Sequence, residues 1–361
     1  MSPDDGLFIT DNQGDWVADC ALYHVREGNF YGHPASLPAR PDFTKDKVQS
    51  MRADDFDEFR SPPAVWLVRE AIANSPGSPI WETSKGKFGP FEGQMFIGDQ
   101  RQSNYFRSGV EKINGEYQGW CVDFLRGLDS GPVKMSFDNA GRLWSAQVGR
   151  GWFSKGGKRT AIQYVEWDGK TTPFAIHSAS LTKTGFSVRF TERIGKKMIP
   201  SVSTWGYHYY STYGSPPVDQ KMENVTNYQL SKDRMTVTFD VPLSEKKIYA
   251  ITFTDQKNTK AKLLDFDTIY YTLNQTRPAR EPRSGRNVGW SLVGSSWSRN
   301  DKNRPIPPVV APLSTDICSM PTPEEATQLD STQWTNPNWV FDQNGVMPRG
   351  KGNNSTVNAY G

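Results

Sequence analysis

Cysteine and histidine are both scarce in this chain, three and four among 361 residues. The cysteines, Cys20, Cys121 and Cys318, lie far apart and form no Cys-x-x-Cys pair. That argues against a thioredoxin-like site, a zinc ribbon and a c-type haem attachment site. Three unpaired thiols are the plain reading, with a Cys20–Cys121 bridge as the alternative. An excess of one charge is also missing. The 42 basic and 39 acidic residues leave +3, too little and too dispersed for a nucleic-acid partner. No apolar run approaches the roughly 20 residues that cross a bilayer as a helix, so no membrane span is expected. The opening MSPDDGLFITD has neither the basic region nor the apolar core of a signal peptide. In an exported parent protein that signal would lie upstream.

What is plentiful is aromatic residues, glycine and proline: 12 Trp, 14 Tyr, 19 Phe, 31 Gly and 25 Pro. This mixture favours many short strands over long helices. Two stretches share one pattern, GLFITDNQGDW from Gly6 and GQMFIGDQRQS from Gly93: a glycine, a short apolar strand, then Asp with a polar amide. GRLWSAQVGRGW from Gly141 is a third variant. Strands recurring in this way, each ending in a polar, Gly-rich loop, suggest propeller blades. The expected fold is all-β, with a partial β-propeller of about three blades over 1–170. Residues 38–63 read as a charged excursion with at most a short helix near Arg52 to Phe59. Over 171–275, FAIHSASLTKTGFSVRF, MTVTFDVPL and IYAITFTD alternate apolar and polar residues, and about seven short strands predict an immunoglobulin-like sandwich. Its insertion WGYHYYSTYGSPPVD, from Trp205, reads as a docking seam or a carbohydrate contact. Residues 276–325, rich in Arg, Pro, Ser and Asn, read as a linker. Residues 326–361 open a further β domain, with a hairpin in NWVFDQNGVM.

LFITDNQGDW followed by LYHVREGNFYGHP, then GPFEGQMFIGDQ and FDNAGRLW, resembles the soluble glucose and sorbosone dehydrogenase family. These are six-bladed propellers that use pyrroloquinoline quinone and calcium. The resemblance covers about residues 6 to 167, roughly the second half of a ring. It implies sugar oxidation in an exported, periplasmic or extracellular parent, and a carbohydrate or small polyol as partner. It also implies open blade edges through which the segment self-associates. Two family features have no counterpart in the chain. The family's base histidine belongs to an upstream blade, and its quinone-binding arginines correspond to SGPVKMSF, which offers only Lys134. The last 30 or so residues resemble the start of a 3-keto-disaccharide hydrolase domain, a lectin-like jelly roll, through Trp339-Val340, Asn344-Gly345-Val346-Met347 and Gly350-Lys351-Gly352.

Candidate site residues follow from residue chemistry. Asp11, Gln13, Gly14 and Asp15 offer carboxylates and carbonyls of the kind a Ca2+ ion takes six to eight of; the alternative is a turn that caps a strand. His24 and His33 are the histidines placed to serve as a general base, or else packed side chains. Asp99 and Gln100 end a blade strand, and Arg150 and Trp152 could line a cofactor or sugar site with donors and a stacking face. Two functions stay open: quinone- and calcium-dependent oxidation of a sugar, and a non-catalytic carbohydrate-binding or scaffold module.

Overall fold

In the computed structural model, residues 6–149 and 153–278 are described in full, with the backbone of 339–342 and 345–348. The chain divides into two units, Met1–Ser284 and Gly285–Gly361. Among the described residues the first unit is all-β apart from three short helical turns.

Strands β1 (Leu7–Asp11), β2 (Ala21–Val25) and β3 (Val65–Trp66) form an antiparallel sheet in that order. Strand alternation turns Phe8 inward and leaves Leu7 and Ile9 exposed. Between β2 and β3 the charged excursion forms a 3-10 turn over Pro34–Ala39 and two helices, α1 (Lys45–Ser50) and α2 (Ala53–Asp57). The sequence pointed to a helix at α2 alone. α1 starts at Thr44, whose hydroxyl accepts from the Lys47 N–H at 3.1 Å. Phe30, Leu37, Phe43 and Phe56 bury a small core around these turns.

Strands β4 (Ile80–Trp81), β5 (Met95–Asp99), β6 (Asn104–Ile113) and β7 (Glu116–Arg126) follow in sequence order, all antiparallel. β6 and β7 are joined by Asn114-Gly115, with φ of 50° and 88°. Positive φ at both central residues is what a tight hairpin requires, and Asn-Gly supplies it with least strain. β8 (Pro132–Phe137), β9 (Leu143–Val148) and β10 (Thr160–Val165) form a third antiparallel sheet with β9 central. The ends of β1 and β5 are tied through residues 75–77, and Gln100 after β5 carries the tie on to β9. Thr10 Oγ1 donates to the Gly77 carbonyl at 2.8 Å, and the Gly77 N–H donates to Gly98 O at 2.8 Å. The Gln100 N–H donates to Ser75 O, and its Nε2 reaches Val148 O at 2.9 Å.

The remaining strands of this unit are β11 (Ile176–Leu181), β12 (Gly185–Phe190), β13 (Ser201–Gly206) and β14 (Val218–Glu223). They continue through β15 (Thr226–Leu230), β16 (Thr236–Asp240), β17 (Lys247–Thr252) and β18 (Thr268–Leu273). One sheet has the order β11-β12-β16-β15. The other runs β14-β13-β17-β18 and continues directly into β7-β6-β5-β4. Phe186, Val188 and Phe239 from the first share a buried core with Val202, Tyr249 and Tyr271 from the second, and Trp120 and Val122 of β7 belong to the same core. The expected boundary at 170/171 is therefore no break in hydrogen bonding, because β18 pairs with β7 from Ile269↔Val122 to Thr272↔Gly119. Among the described residues no sheet closes into a barrel.

The aromatic insertion after β13 packs onto the N-terminal region. The Tyr207 hydroxyl donates to Asp19 at 2.6 Å and that of Tyr209 to Gly32 O at 2.7 Å. Trp16 lies 5.1 Å from Tyr209, and the Arg60 guanidinium sits 3.9 Å over the Tyr209 ring. Cys20 and Cys121 are buried, free thiols in one apolar cluster, and burial raises both. Cys318 lies outside the described residues. In the second unit, β19 (Trp339–Asp342) and β20 (Gly345–Pro348) pair as an antiparallel hairpin, at the position the sequence indicated.

Candidate functional site

The residues singled out in the sequence fall mainly on the side where β1, β5 and β9 end, and most are held by structural bonds. Asp11 accepts from the Asn12 N–H at 2.9 Å, and burial raises its carboxyl. Gln13 is used at both ends: Nε2 donates to Ala18 O at 3.1 Å, and Oε1 accepts from Arg69 Nη1. The Gly14 carbonyl accepts from the N–H groups of Val17 and Gly214, and Asp15 bridges to Tyr213. A calcium ion needs free oxygens converging on one point, whereas Asp11 Oδ1 and the Gly14 carbonyl accept N–H groups and Gln13 Oε1 holds the Arg69 guanidinium. Among the described residues no group of three His, Cys, Asp or Glu side chains could hold a metal ion.

His24 sits on β2 with ring contacts to Phe8 at 5.0 Å and Tyr117 at 4.6 Å. His33 caps the 3-10 turn, its Nδ1 accepting from the Ala35 N–H at 3.1 Å. Each histidine thus has a local structural task. Asp99 is fully buried and accepts three backbone N–H groups, from Asn74 at 2.7 Å, Ser75 at 2.6 Å and Gln102 at 2.7 Å. Burial raises its carboxyl against those bonds. Gln100 is spent on the ties to Ser75 and Val148 described above. Lys134 is exposed on β8. Arg150 and Trp152 lie outside the described residues. A quinone bearing several carboxylates requires converging cationic forks. Among the described residues Lys134 alone does not provide them, and the family cofactor pair does not fit the described residues.

A different site emerges between β6–β7, the segment after β10, and the loop before β18. It is a cleft of about 390 Å³. Phe88, Phe91 and Phe124 form one wall, with Phe91 and Phe124 edge to face at 5.6 Å. Trp167 and Phe266 line it as well, and Glu166, Asp168 and Asp265 add carboxylates. Trp167 is held by its indole N–H, which donates to Thr171 O at 2.8 Å. Its ring packs against Gly89, whose φ of 87° is a backbone conformation that favours glycine. Asp168 shapes the turn by accepting from the N–H groups of Lys170 and Thr171.

Arg107, only 1% exposed, lies among the lining residues. Nη1 donates to Gln94 Oε1 at 2.6 Å and Nη2 to Ile176 O at 2.7 Å, while Nε has no partner. The guanidinium lies 4.2 Å from the centre of Phe91. Burial pulls Arg107 down to about 9, Asp265 opposing, so it keeps its charge at neutral pH. The neighbouring His177 is lowered, first by burial and then by the Arg107 charge. Asp265 is raised, mainly by burial, with Lys262 at 3.6 Å opposing. Aromatic faces beside carboxylate acceptors suit a ring that is apolar on its faces and hydroxylated at its rim.

Sequence reasoning missed this cleft. Asp168-Gly169 reads only as a turn. The available signal was Arg107 in NYFRSGV: it shares the inward face of β6 with Tyr105, where an arginine is costly unless the fold uses it.

No protein-family model matches the chain, and no curated protein matches it in sequence. One solved structure shows a weak likeness, a fungal alcohol oxidase of the AA5 family in complex with copper. The identity is 14% and the TM-score 0.17, over 59% of this chain and 57% of that one. The chain thus spans little more than half of that structure, and a TM-score of this size establishes no shared fold.

Proposed function

We propose that the Met1–Ser284 unit is a non-catalytic carbohydrate-binding module of an exported, polysaccharide-processing parent. The observation that carries this reading is the cleft in which Trp167 and Phe266 stand beside Glu166, Asp168 and Asp265. Its volume lies within the usual range of small-ligand pockets, about 300–1,000 Å³. Aromatic rings stack on a sugar's C–H face, and carboxylates accept from its hydroxyls. Within this proposal, the sheets β1–β3, β4–β7 and β8–β10 are blades of a partial propeller, a reading supported by the joined ends of β1, β5 and β9. Strands β11–β18 are an immunoglobulin-like sandwich fused to the middle blade through β18 and β7.

Titration with neutral oligosaccharides, followed by tryptophan fluorescence and calorimetry, tests the reading. Saturable binding is expected, weakened at least tenfold by Trp167→Ala in a chain that still melts cooperatively. Binding that Trp167→Ala leaves intact would move the site elsewhere. The quinone reading is tested separately by adding pyrroloquinoline quinone and Ca2+. On the present reading, neither cofactor absorbance nor sugar-dependent dye reduction appears.

A further inference from the structure

A second cleft, of about 400 Å³, adjoins the first. The two share Asp123, Asp265 and Phe266 as lining residues. The segment between them is pinned: the Leu264 N–H donates to Gln256 O at 2.9 Å and the Asp265 N–H to Phe174 O at 3.0 Å. Asp265 and Phe266 therefore form a fixed ridge with a hollow on either side. Arg126 lines the second hollow, its Nη2 donating to Ala71 O at 2.7 Å and its Nε to Asp123. Gln256 lines it too. It is 1% exposed, with Nε2 held by the Lys196 and Lys257 carbonyls and Oε1 without a partner. The orphan atom is a buried acceptor, whose complement is a donor such as a hydroxyl and not an anion.

We infer that the two hollows are successive subsites for one linear, neutral oligosaccharide that crosses the Asp265–Phe266 ridge. This rests on the carbohydrate reading of the first cleft and extends it to a ligand class. Two hollows sharing a wall let one chain occupy both, and the second contact then forms at high effective concentration. Neutrality follows from charge. Asp255 and Asp267 join the shared carboxylates in the second hollow, where Arg126 is the sole basic lining residue among the described residues, and Asp265 is already raised by burial. A uronate or sulfated chain would add like charge to both hollows.

The test is calorimetric titration of the full chain with malto-, cello- and xylo-oligosaccharides of two to six units, beside an oligogalacturonate series. Leu263 lines only the second hollow and is 52% exposed, so Leu263→Trp narrows that hollow with little risk to the fold. Affinity for one neutral series should rise at least tenfold between two and five units. Leu263→Trp should abolish that rise and leave disaccharide binding unchanged. Trp167→Ala should weaken every length. Equal affinity at all lengths, or a rise that Leu263→Trp does not touch, overturns the subsite inference and leaves the first cleft's reading standing. Tighter binding of the uronate series overturns neutrality. No binding at any length overturns the inference together with the reading beneath it.

Discussion

At the scale of single residues, buried carboxylates organise much of this molecule. Asp99 is the clearest case. A strand ending in Gly-Asp is visible in the sequence, but its role depends on Asn74, Ser75 and Gln102, whose N–H groups converge on it only after folding. Asp19 gives a test. Its carboxyl is pushed up to about 6 by burial, opposed by bonds from the Tyr207 hydroxyl and the N–H groups of Arg69 and Cys20. The folded chain therefore takes up this proton more readily than the unfolded one. The associated stability is complete below the ordinary aspartate value of 3.8 and is lost as pH rises through about 6. A shift of about two units corresponds to roughly 3 kcal/mol. Asp19→Asn keeps an acceptor for Tyr207 and removes the titration. Calorimetric melting between pH 4 and pH 7 should show a smaller loss of stability in the variant than in the parent. Identical pH profiles would place the titration elsewhere.

At the scale of elements, hairpins were legible and their lateral partners were not. The alternation around Lys183-Thr184-Gly185 marked β11 and β12, and Ile176–Leu181 pairs with Gly185–Phe190 accordingly. The pairing of β7 with β18 joins residues about 150 positions apart, and no local pattern announces it. On its other side β7 approaches the β6 backbone closely. A Cβ on Gly119 would lie 2.0 Å from the Gly109 carbonyl oxygen of the neighbouring strand. Gly119→Ala should therefore cost about 3 kcal/mol or more through strand displacement, read as a lowered melting temperature. A change below about 0.5 kcal/mol would mean that the β6–β7 ladder yields easily. Helix α1 escaped notice because six residues of mixed charge carry no apolar period, and only the Thr44 cap marks its start.

At the scale of the whole molecule, apolar side chains of two edge strands are exposed among the described residues. Leu7 and Ile9 are exposed on β1, and Ile162, 75% exposed, stands with Tyr164 on β10. Among the described residues β1 and β10 are both edge strands, which present backbone groups on their outer sides. On this basis concentration-dependent self-association is expected in sedimentation experiments, weakened by Ile162→Lys. A parent chain that stays monomeric at every concentration would reject it.

The amino-acid order by itself determined an all-β chain of short hairpins, because side-chain alternation and turn residues act over a few positions and need no distant partner. It also marked the aromatic insertion at Trp205 as more than an ordinary loop. Tertiary structure alone decided that the sheets merge across β7 and β18, that Gln13 and Gly14 are engaged by Ala18, Arg69, Val17 and Gly214, and that the open cleft lies beside Arg107, Trp167 and Asp265. Those outcomes depend on groups far apart in the chain meeting in space, and burial then sets which polar atoms are satisfied and which stay available to a ligand.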